Sequence, residues 1–568
     1  MNIFNFKKNK KPWEKYYAKN EREVEVPDMS LYDFIKERNE YNMSSIALSY
    51  FDTKITYKEL FKKIDICAKA MRNHGIRPGD VVSICLPNIP ESVYVFYATS
   101  KIGAIANMIH PLSSEEEIKQ TIVDTKSVML FTINFNYKKV KNILHETNIY
   151  KTILISPRNS MTKHMSLGYF LLEDRKVKIP KNNEIYMYWN DFYKKGKNYN
   201  QDVTVHTSKS SPAAILHSGG TSGKPKSIVI SNGNINVVID QATIALPENN
   251  RNDKMLGILP MFHCFGLVEC THYPLSIGCT LIQVPKFDAS RFDKLLRKYK
   301  PTIIAGVPTL FEAMLGNKHM DDIDLSNVKY VVSGGDSLNE ERNKRLNDFL
   351  KAHKCRHGVV QGYGMTETSG GCIFSTTKSY TLGSVGIPLP SNDLKIVNPD
   401  TKEEVKTGEV GEILISGPSV MLGYLNDEEE TNRVLEKDNK GKIWVHSGDL
   451  GYLDKNGCLF FVQRLKRLII SSGYNVYPSY IEEVLNKHPY IINSCVIGVP
   501  HPYKVQVPKA YIVLSSDVHD TLKVRAEIKE HCEKNLAKYM IPKEFVYRES
   551  LPKTMIGKVD YKKLEEEK

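Results

Sequence analysis

The sequence predicts an α/β fold with a large N-terminal domain, made of α/β subdomains and a β-rich subdomain, and a smaller α+β C-terminal domain. Three observations support this class. From about residue 211, short β-rich runs alternate with polar, Leu-spaced segments, which is typical of parallel strands connected by helices. After Gly383 the apolar runs are punctuated by Gly and Asp, which indicates antiparallel β structure. From about Arg467 to Lys568, helix and strand patterns alternate over the length of a small domain.

The elements follow in order along the chain. In the block Ile55 to His110, KELFKKIDICAKAMRNHG predicts an amphipathic helix ended by Gly75, and DVVSICLP predicts a strand. The apolar stretch 92–109 is interrupted by polar residues, so it predicts a buried helix and not a membrane span. Residues 121–205 carry the weakest pattern. Further on, PAAILHS, TIIAGVP, VKYVVSGG and HGVVQGYG predict strands, and SRFDKLLRKY and NEERNKRLNDFL predict helices.

Length and charge limit the function classes. At roughly 150 residues per domain, 568 residues predict three or four domains or subdomains. The net charge of +13 suits nucleic acid, an anionic membrane surface or a nucleotide. No nucleic-acid-binding motif accompanies it, so a nucleic-acid partner is not expected. A lysine cluster at residues 7–11 precedes Trp13, Tyr16 and Tyr17; we expect a solvated tail there, with peripheral membrane contact as the alternative.

The cysteines and the N-terminus indicate a compartment. The ten cysteines are scattered and form no CxxC pair, so we expect buried thiols in a reducing environment. The first residues reach a lysine cluster without the apolar run that a signal peptide needs. A cytoplasmic location is therefore expected.

The segment LHSGGTSGKPKS, residues 216–227, is the most informative. A predicted strand runs into three glycines, several hydroxyls and two lysines. Glycine lets successive backbone N–H groups face one anion, so the loop predicts a phosphate site. A Walker A loop is disfavoured, because Lys224 is followed by Pro225 and not by a hydroxyl residue. A flexible linker is the structural alternative, and the flanking strands and lysines argue against it.

Seven motifs, in order, resemble the adenylate-forming superfamily and specifically its acyl-CoA synthetases. They are the loop above, LPMFHCFGL (259–267), QGYGMTET (361–368), GSVGIPLP (383–390), WVHSGDLGYLD (444–454), RLKRLIISSGYNVYPSYIEE (464–483) and PKTMIGKVD (552–560). The resemblance covers about residues 45–565. It implies an N-terminal extension at 1–44, an adenylate-forming domain at 45–465 and a mobile C-terminal domain at 466–568.

The resemblance implies an ATP- and Mg²⁺-dependent ligase that forms an acyl-adenylate and passes the acyl group to coenzyme A. The implied loop residues are Ser218, Gly219, Gly220, Thr221, Ser222, Gly223 and Lys226. Of these, the last four would hold the β and γ phosphates. Thr366 would contact the α phosphate, and Glu367 would bind Mg²⁺, which one carboxylate can do together with phosphate oxygens and water.

The remaining implied roles concern the nucleoside, the acid and the domain movement. Tyr363 would stack on adenine, and Asp449 would accept the ribose hydroxyls. His263 would gate the acid, and Lys558 would neutralise charge during the first step. The other implied contacts are the backbone of Gly334, Gly335 and Asp336 to adenine, Arg464 to ribose or phosphate, and Gly473 to the pantetheine arm. Lys466 matches the family's hinge.

Some residues depart from the family pattern. Gln463 stands where an Asp is usual, Ser227 where a Gly is usual, and Gln506 and Val507 where Gly-Glu is common. The departures leave adenylation intact, but they keep the acceptor open between coenzyme A and an acyl carrier protein.

A medium- or long-chain fatty acid is the expected substrate, with an aromatic acid as the alternative. His263 takes the place of the Asp that binds an amino acid's ammonium. The expected pocket residues are Met261, Phe262, Phe265, Gly266, Gly334 and Gly364, which are small or apolar. A non-catalytic, nucleotide-responsive binding protein is the remaining alternative, and Glu367 and Lys558 argue against it.

Overall fold

The computed structural model describes residues 11–177, 180–218, 226–336, 338, 340–471, 474–554 and 558–567. Within these ranges the strands form four sheets, two large and largely parallel and two smaller and mainly antiparallel. The α/β class and the β-rich part that follows it are thus confirmed.

The first large sheet contains nine strands of the described chain. In spatial order they are Ile387–Pro388, Gly370–Phe374, Val359–Met365, Tyr330–Ser333, Ile303–Gly306, Lys254–Gly257, Thr280–Gln283, Ile46–Tyr50 and Thr53–Thr56. Its central strands are parallel, and only the pairs at its two ends are antiparallel. The runs TIIAGVP and VKYVVSGG provide central strands that are buried throughout, as strands covered on both faces must be.

The second large sheet contains eight strands of the described chain. They are, in spatial order, Gly423–Tyr424, Lys226–Ser231, Pro212–Ser218, Ile105–Met108, Val81–Cys85, Met129–Ile133, Lys151–Ile155 and Tyr186–Tyr188. PAAILHS forms the strand before the predicted phosphate loop, and the strand Lys226–Ser231 returns antiparallel to it. Ser218 and Lys226, the described residues on either side of the predicted loop, therefore lie opposite each other at the end of a hairpin.

The two smaller sheets follow each other along the chain. The first contains Asp393–Val397, Gly411–Ser416, Ile443–Leu453 and Leu435–Lys437, with Leu459–Arg464 paired to the third of these. The second contains Tyr474–Val476, Ile469–Ser471, Val505–Leu514 and Ile491–His501, with Glu544–Arg548 paired to the third of these. The chain changes sheets between Arg464 and Ile469. The predicted boundary after residue 465 falls in this interval and stays a prediction.

The helices cover the faces of the sheets. The α-helices are Leu31–Arg38, Tyr57–Asn73, Pro90–Lys101, Glu115–Asp124, Tyr137–Ile143, Lys163–Leu172, Trp189–Lys197, Asn232–Ala245, Cys264–Leu267, Tyr273–Ser276, Phe292–Tyr299, Pro308–Leu315, Glu340–Ala352, Glu428–Val434, Pro478–Asn486, Leu522–Asn535 and Tyr561–Glu566. The helix Tyr57–Asn73 shows how the sequence sets its ends. Thr56 and Glu59 form a capping box at its start, and Gly75 follows its end with a φ of +89°.

The apolar stretch 92–109 is buried as predicted, but it is not one helix. The helix Pro90–Lys101 ends at Ile102, and Ile105–Met108 is a strand of the second sheet. Lys101 is buried there because its ammonium forms a 2.5 Å ion pair with Asp65. No helix of the described chain is long and apolar enough to cross a membrane.

The N-terminal aromatic residues do not form a solvated tail. Trp13 and Tyr17 are buried in a core cluster with Ile387 and Leu459, and the Tyr17 hydroxyl donates a 2.9 Å hydrogen bond to the carbonyl of Pro388. These two side chains are thus unavailable to a membrane surface. Residues 7–10 of the lysine cluster lie outside the described residues. The ten cysteines, all described, are free thiols, and nine of them are buried.

Candidate active site

One cavity of about 2140 Å³ is lined by every described residue that was predicted to be catalytic, to bind the cofactor or to form the hinge. The predicted residues that line it are Ser218, Lys226, His263, Gly334, Gly335, Asp336, Tyr363, Thr366, Glu367, Asp449, Arg464, Lys466 and Lys558. They come from both large sheets, the β-rich sheet and the C-terminal part. Gly219, Gly220, Thr221, Ser222, Gly223 and Gly473 lie outside the described residues.

Strand register places the three residues predicted to bind the nucleoside together. Asp449 and Arg464 lie opposite each other on the paired strands Ile443–Leu453 and Leu459–Arg464. Arg464 Nε lies 3.0 Å from Asp449 Oδ1, and the Tyr363 hydroxyl donates a 2.7 Å hydrogen bond to Asp449 Oδ2. Because Asp449 is fully desolvated, burial raises its pKa, and the positive charge of Arg464 opposes this.

The open oxygen of Asp449 fits a nucleotide. Asp449 Oδ1 is buried and accepts no hydrogen bond from any described residue, although Arg464 lies near it as an ion-pair partner. A buried acceptor without a donor costs free energy until a ligand supplies one. A hydroxyl pair such as that of ribose would supply a donor beside Arg464.

The predicted metal ligand follows the strand Val359–Met365 directly. Glu367 lies in a short 3₁₀ turn, Thr366–Thr368, and is 8% exposed. Its Oε1 accepts a 2.8 Å hydrogen bond from the Tyr424 hydroxyl. No cluster of three or more metal-ligating side chains occurs among the described residues. The site therefore fits an ion such as Mg²⁺ only where phosphate oxygens and water complete its coordination.

Tyr424 and Glu430 are site neighbours that sequence reasoning missed. The strand Gly423–Tyr424 pairs with the strand that starts at Lys226, and the ammonium of Lys226 lies 5.0 Å from the centre of the Tyr424 ring. Lys226 also forms an ion pair with Glu430, which in turn pairs with Arg433. The acidic run DEEE at residues 427–430 was the available signal, since such a run can supply a partner for a lysine such as Lys226.

His263 and Lys558 approach each other from different parts of the chain. Burial, and secondarily the positive charge of Lys558, lowers the pKa of His263 to about 4. His263 is therefore neutral at pH 7. Burial lowers the pKa of Lys558, and the carboxylates of Asp336 and Asp449 counteract this effect. The Lys558 N–H donates to Thr554 Oγ1 at 3.2 Å and the Thr554 N–H donates to the Lys558 carbonyl at 2.7 Å, which anchors the backbone of the lysine.

The predicted hinge residue lies between two sheets. Lys466 is the middle residue of a 3₁₀ turn, Leu465–Arg467. Gln463, just before the turn, accepts hydrogen bonds from the Ser479 N–H at 3.4 Å and the Ser479 hydroxyl at 3.3 Å. Gln463, the departure from the family's usual Asp, thus connects the two sides of the predicted hinge.

The prediction of which residues line the acid pocket is partly wrong. Phe262, Phe265, Gly334 and Gly364 line the cavity, whereas Met261 and Gly266 do not. Met261 is buried and its sulfur accepts a 3.2 Å hydrogen bond from Ser92. A Cβ at Gly266 would lie 1.9 Å from the carbonyl oxygen of Pro260, so this glycine is required by chain packing. Sequence proximity to His263 could not distinguish pocket residues from packing residues.

The chain is similar to a known protein family and to CoA ligases along most of its length. The family model described as AMP-binding enzyme matches residues 35–425, and the model of its C-terminal domain matches residues 480–558. A long-chain-fatty-acid–CoA ligase of Bacillus subtilis is 29% identical over 98% of this chain and 98% of its own length. A probable 4-coumarate–CoA ligase 1 of Dictyostelium discoideum is 31% identical over 90% of this chain and 91% of its own.

Solved structures share the fold. The o-succinylbenzoate CoA synthetase of Bacillus subtilis, solved with its acyl-adenylate intermediate, is 26% identical, with a TM-score of 0.76 over 95% of this chain and 98% of its own. The first family model alone matches more than half of the chain. The chain belongs to the AMP-binding enzyme family, and within it to the AMP-forming acyl-CoA synthetases, which are acid–thiol ligases.

Proposed function

We propose that this protein activates a medium- or long-chain fatty acid with ATP and transfers the acyl group to coenzyme A. In the first step a carboxylate oxygen attacks the α phosphorus, the bond to the bridging oxygen breaks, and pyrophosphate leaves. In the second step the coenzyme A thiol loses its proton, its sulfur attacks the acyl carbon, and AMP leaves. The convergence of Lys558 with Asp449 and Arg464 in one cavity is the observation that carries the proposal.

The first step needs positive charge where two anions meet. Lys558 and Arg464 supply it from the C-terminal part and the β-rich sheet, and Lys226 supplies it from the hairpin. Preorganised charges of this kind stabilise a transition state without reorganisation at the moment of reaction. Thr366 lines the same cavity, and so does the backbone of Gly334 and Gly335, which would cover one face of the adenine.

His263 would act as a neutral group at the entrance to the acid pocket. Its lowered pKa keeps a second positive charge away from Lys558, so that the imidazole can orient the carboxylate without competing for it. Magnesium bound through Glu367 would supply Lewis-acid neutralisation of the phosphates. Rotation about the predicted hinge at Lys466 would then let the C-terminal part present a different face to the active site in the second step.

The fatty-acid assignment draws on apolar side chains and on one of two relatives. Phe262 and Phe265 line the cavity beside Gly334 and Gly364, which suits an apolar tail. The Bacillus relative is named for long-chain fatty acids and the Dictyostelium relative for 4-coumarate, so an aromatic acid is the second candidate.

An ATP–pyrophosphate exchange screen tests the proposal. The purified protein is assayed with straight-chain acids of graded length and with benzoate- and cinnamate-type acids. A maximum at medium or long chains supports the fatty-acid assignment, and a maximum at aromatic acids overturns it. The best acid is then offered with coenzyme A or with a phosphopantetheinylated acyl carrier protein. Thioester formation only on the carrier protein would overturn coenzyme A as acceptor.

A further inference from the structure

The helix that follows His263 contains an irregular turn inside the candidate site. Cys264–Leu267 is α-helical, Val268–His272 is π-helical, and Tyr273–Ser276 is α-helical again. A single π-helical turn within an α-helix is rare and frequently occurs at functional sites. Glu269 lies on this turn and lines the cavity.

Glu269 is a buried carboxyl group with an incomplete set of partners. Glu269 is 8% exposed, and its Oε1 accepts a hydrogen bond from the Gly371 N–H. Its Oε2 has no hydrogen-bond partner among the described residues, and no cation is among the causes that shift the pKa of this carboxyl group. Burial raises the pKa of Glu269 to about 8, and the bond from Gly371 opposes this. A buried carboxyl group costs free energy unless something hydrogen-bonds to it.

Two glycines make room for this carboxyl group. A Cβ at Gly370 would lie 2.1 Å from Glu269 Oε1, and a Cβ at Gly371 would lie 3.3 Å from the same atom. Gly371 pairs with Gly364 on the strand that carries Tyr363. The two glycines thus leave space for the Glu269 carboxyl group in the cavity wall. A side chain at Gly370 would collide with it.

The position of Glu269 assigns it to the acid side of the cavity. It follows His263 by six residues on the same helical segment as Phe265, whereas Asp449 and Arg464 lie on other strands at the nucleoside side. None of the roles predicted for the other site residues involves Glu269. An apolar fatty tail alone would leave its free oxygen without a partner.

We propose that Glu269 is a specificity-determining residue that hydrogen-bonds a hydroxyl group of the acyl chain, so that the preferred substrate is a hydroxyl-bearing carboxylic acid. The inference rests on the proposed function and narrows its substrate class. A hydroxyl both donates and accepts, and it therefore satisfies Oε2 whether or not the carboxyl group carries a proton. A site built to hydrogen-bond a substrate hydroxyl discriminates strongly against the analogue that lacks it.

The test compares pairs of acids that differ only by one hydroxyl group. The pairs are fatty acids with the hydroxyl placed at successive carbons, and cinnamate with its ring-hydroxylated forms. The value of kcat/KM in pyrophosphate exchange is measured for the wild type, Glu269→Gln and Glu269→Leu. Glu312→Gln is the matched control, because Glu312 also lines the cavity but pairs with Arg342 and Arg345.

For at least one pair, we expect the wild type and Glu312→Gln to prefer the hydroxylated acid by roughly tenfold or more. Glu269→Leu should abolish that preference and gain activity on the plain acid, while Glu269→Gln should keep part of it. An equal ratio of kcat/KM between hydroxylated and plain acid in the wild type and in Glu269→Leu would overturn the proposal. A uniform loss of activity on all acids together with a lowered Tm would also overturn it, because that result indicates a structural role. A wild type that turns over plain acids without any hydroxyl preference overturns this inference alone; a wild type inactive with every acid overturns the proposed function as well.

Discussion

The hydroxyl of Tyr424 donates a 2.8 Å hydrogen bond to Glu367. The ring of the same tyrosine lies 5.0 Å from the ammonium of Lys226, so one side chain connects the predicted metal ligand with the predicted phosphate-binding lysine. Lys226 is also paired with Glu430. Phosphate binding at this lysine would therefore have to compete with an existing carboxylate partner.

Tyr424→Phe should weaken the binding of Mg²⁺ at Glu367. The variant removes the hydroxyl that orients the carboxylate but retains the ring beneath Lys226. Loss of such an outer partner typically costs about 10-fold or more in metal affinity. The Mg²⁺ concentration for half-maximal pyrophosphate exchange should rise by about that factor. Tyr480→Phe, exposed at the cavity rim, is the control. An unchanged Mg²⁺ titration would show that Tyr424 does not position Glu367.

Lys558→Ala should slow adenylate formation by roughly 10² to 10³-fold, the usual effect of removing a preorganised charge. The reason is that Lys558 lines the cavity and interacts electrostatically with His263, Asp336 and Asp449 there. Pyrophosphate exchange measures this step, and thioester formation from added acyl-adenylate measures the next. Lys553→Ala, exposed in the same segment, should leave both steps unchanged. Equal losses in the two steps would contradict a role confined to the first.

How much of this site the sequence could predict depends on how each residue acts. Lys558 and Asp449 belong to motifs with a fixed chemical role, so the motif order was enough to place them in one cavity. Tyr424 acts only through its neighbours, and its strand pairing with residues 226–231 joins segments far apart in the chain. No local pattern reveals such a pairing.

Packing explains two of the errors of sequence reasoning. The apolar stretch 92–109 has no internal signal for its change from helix to strand, because both elements are buried on all sides and hydrophobic periodicity is then uninformative. Met261 and Gly266 flank pocket residues, but they pack against Ser92 and Pro260. Only the fold decides which side of a chain segment faces a cavity.

Lys466→Pro should separate the two half-reactions. Proline fixes φ and removes an N–H, so a residue that must change its backbone conformation between steps loses that freedom. Lys466 lies in the 3₁₀ turn between the β-rich sheet and the C-terminal sheet. Pyrophosphate exchange should stay within a factor of a few of the wild type, whereas thioester formation should be abolished. Lys466→Ala controls for the side chain. A parallel loss of both activities in the proline variant would refute the hinge.

The buried carboxyl group of Glu91 should make the stability of the folded protein depend on pH, independently of the active site. It lies in the first turn of the helix Pro90–Lys101 and is 1% exposed. The Ser160 hydroxyl donates a 2.6 Å hydrogen bond to its Oε1, and its Oε2 has no partner among the described residues. Burial raises the pKa of Glu91 to about 7, which the bond from Ser160 only partly opposes.

A carboxyl group whose pKa is higher in the folded than in the unfolded state binds its proton more tightly when folded. The folded state is therefore favoured most below the unfolded pKa of about 4.3 and loses this advantage as the pH rises to about 7. Glu91→Gln keeps the bond from Ser160 and removes the titration, so the Tm should fall less between pH 5 and pH 8 and should exceed that of the wild type at pH 8. Glu59→Gln is a control with the opposite pH dependence. Hydrogen bonds from Thr56 lower the pKa of Glu59, so this carboxylate stabilises the folded state above the unfolded pKa. Parallel Tm curves for wild type and Glu91→Gln would mean that Glu91 is not held neutral in the folded protein.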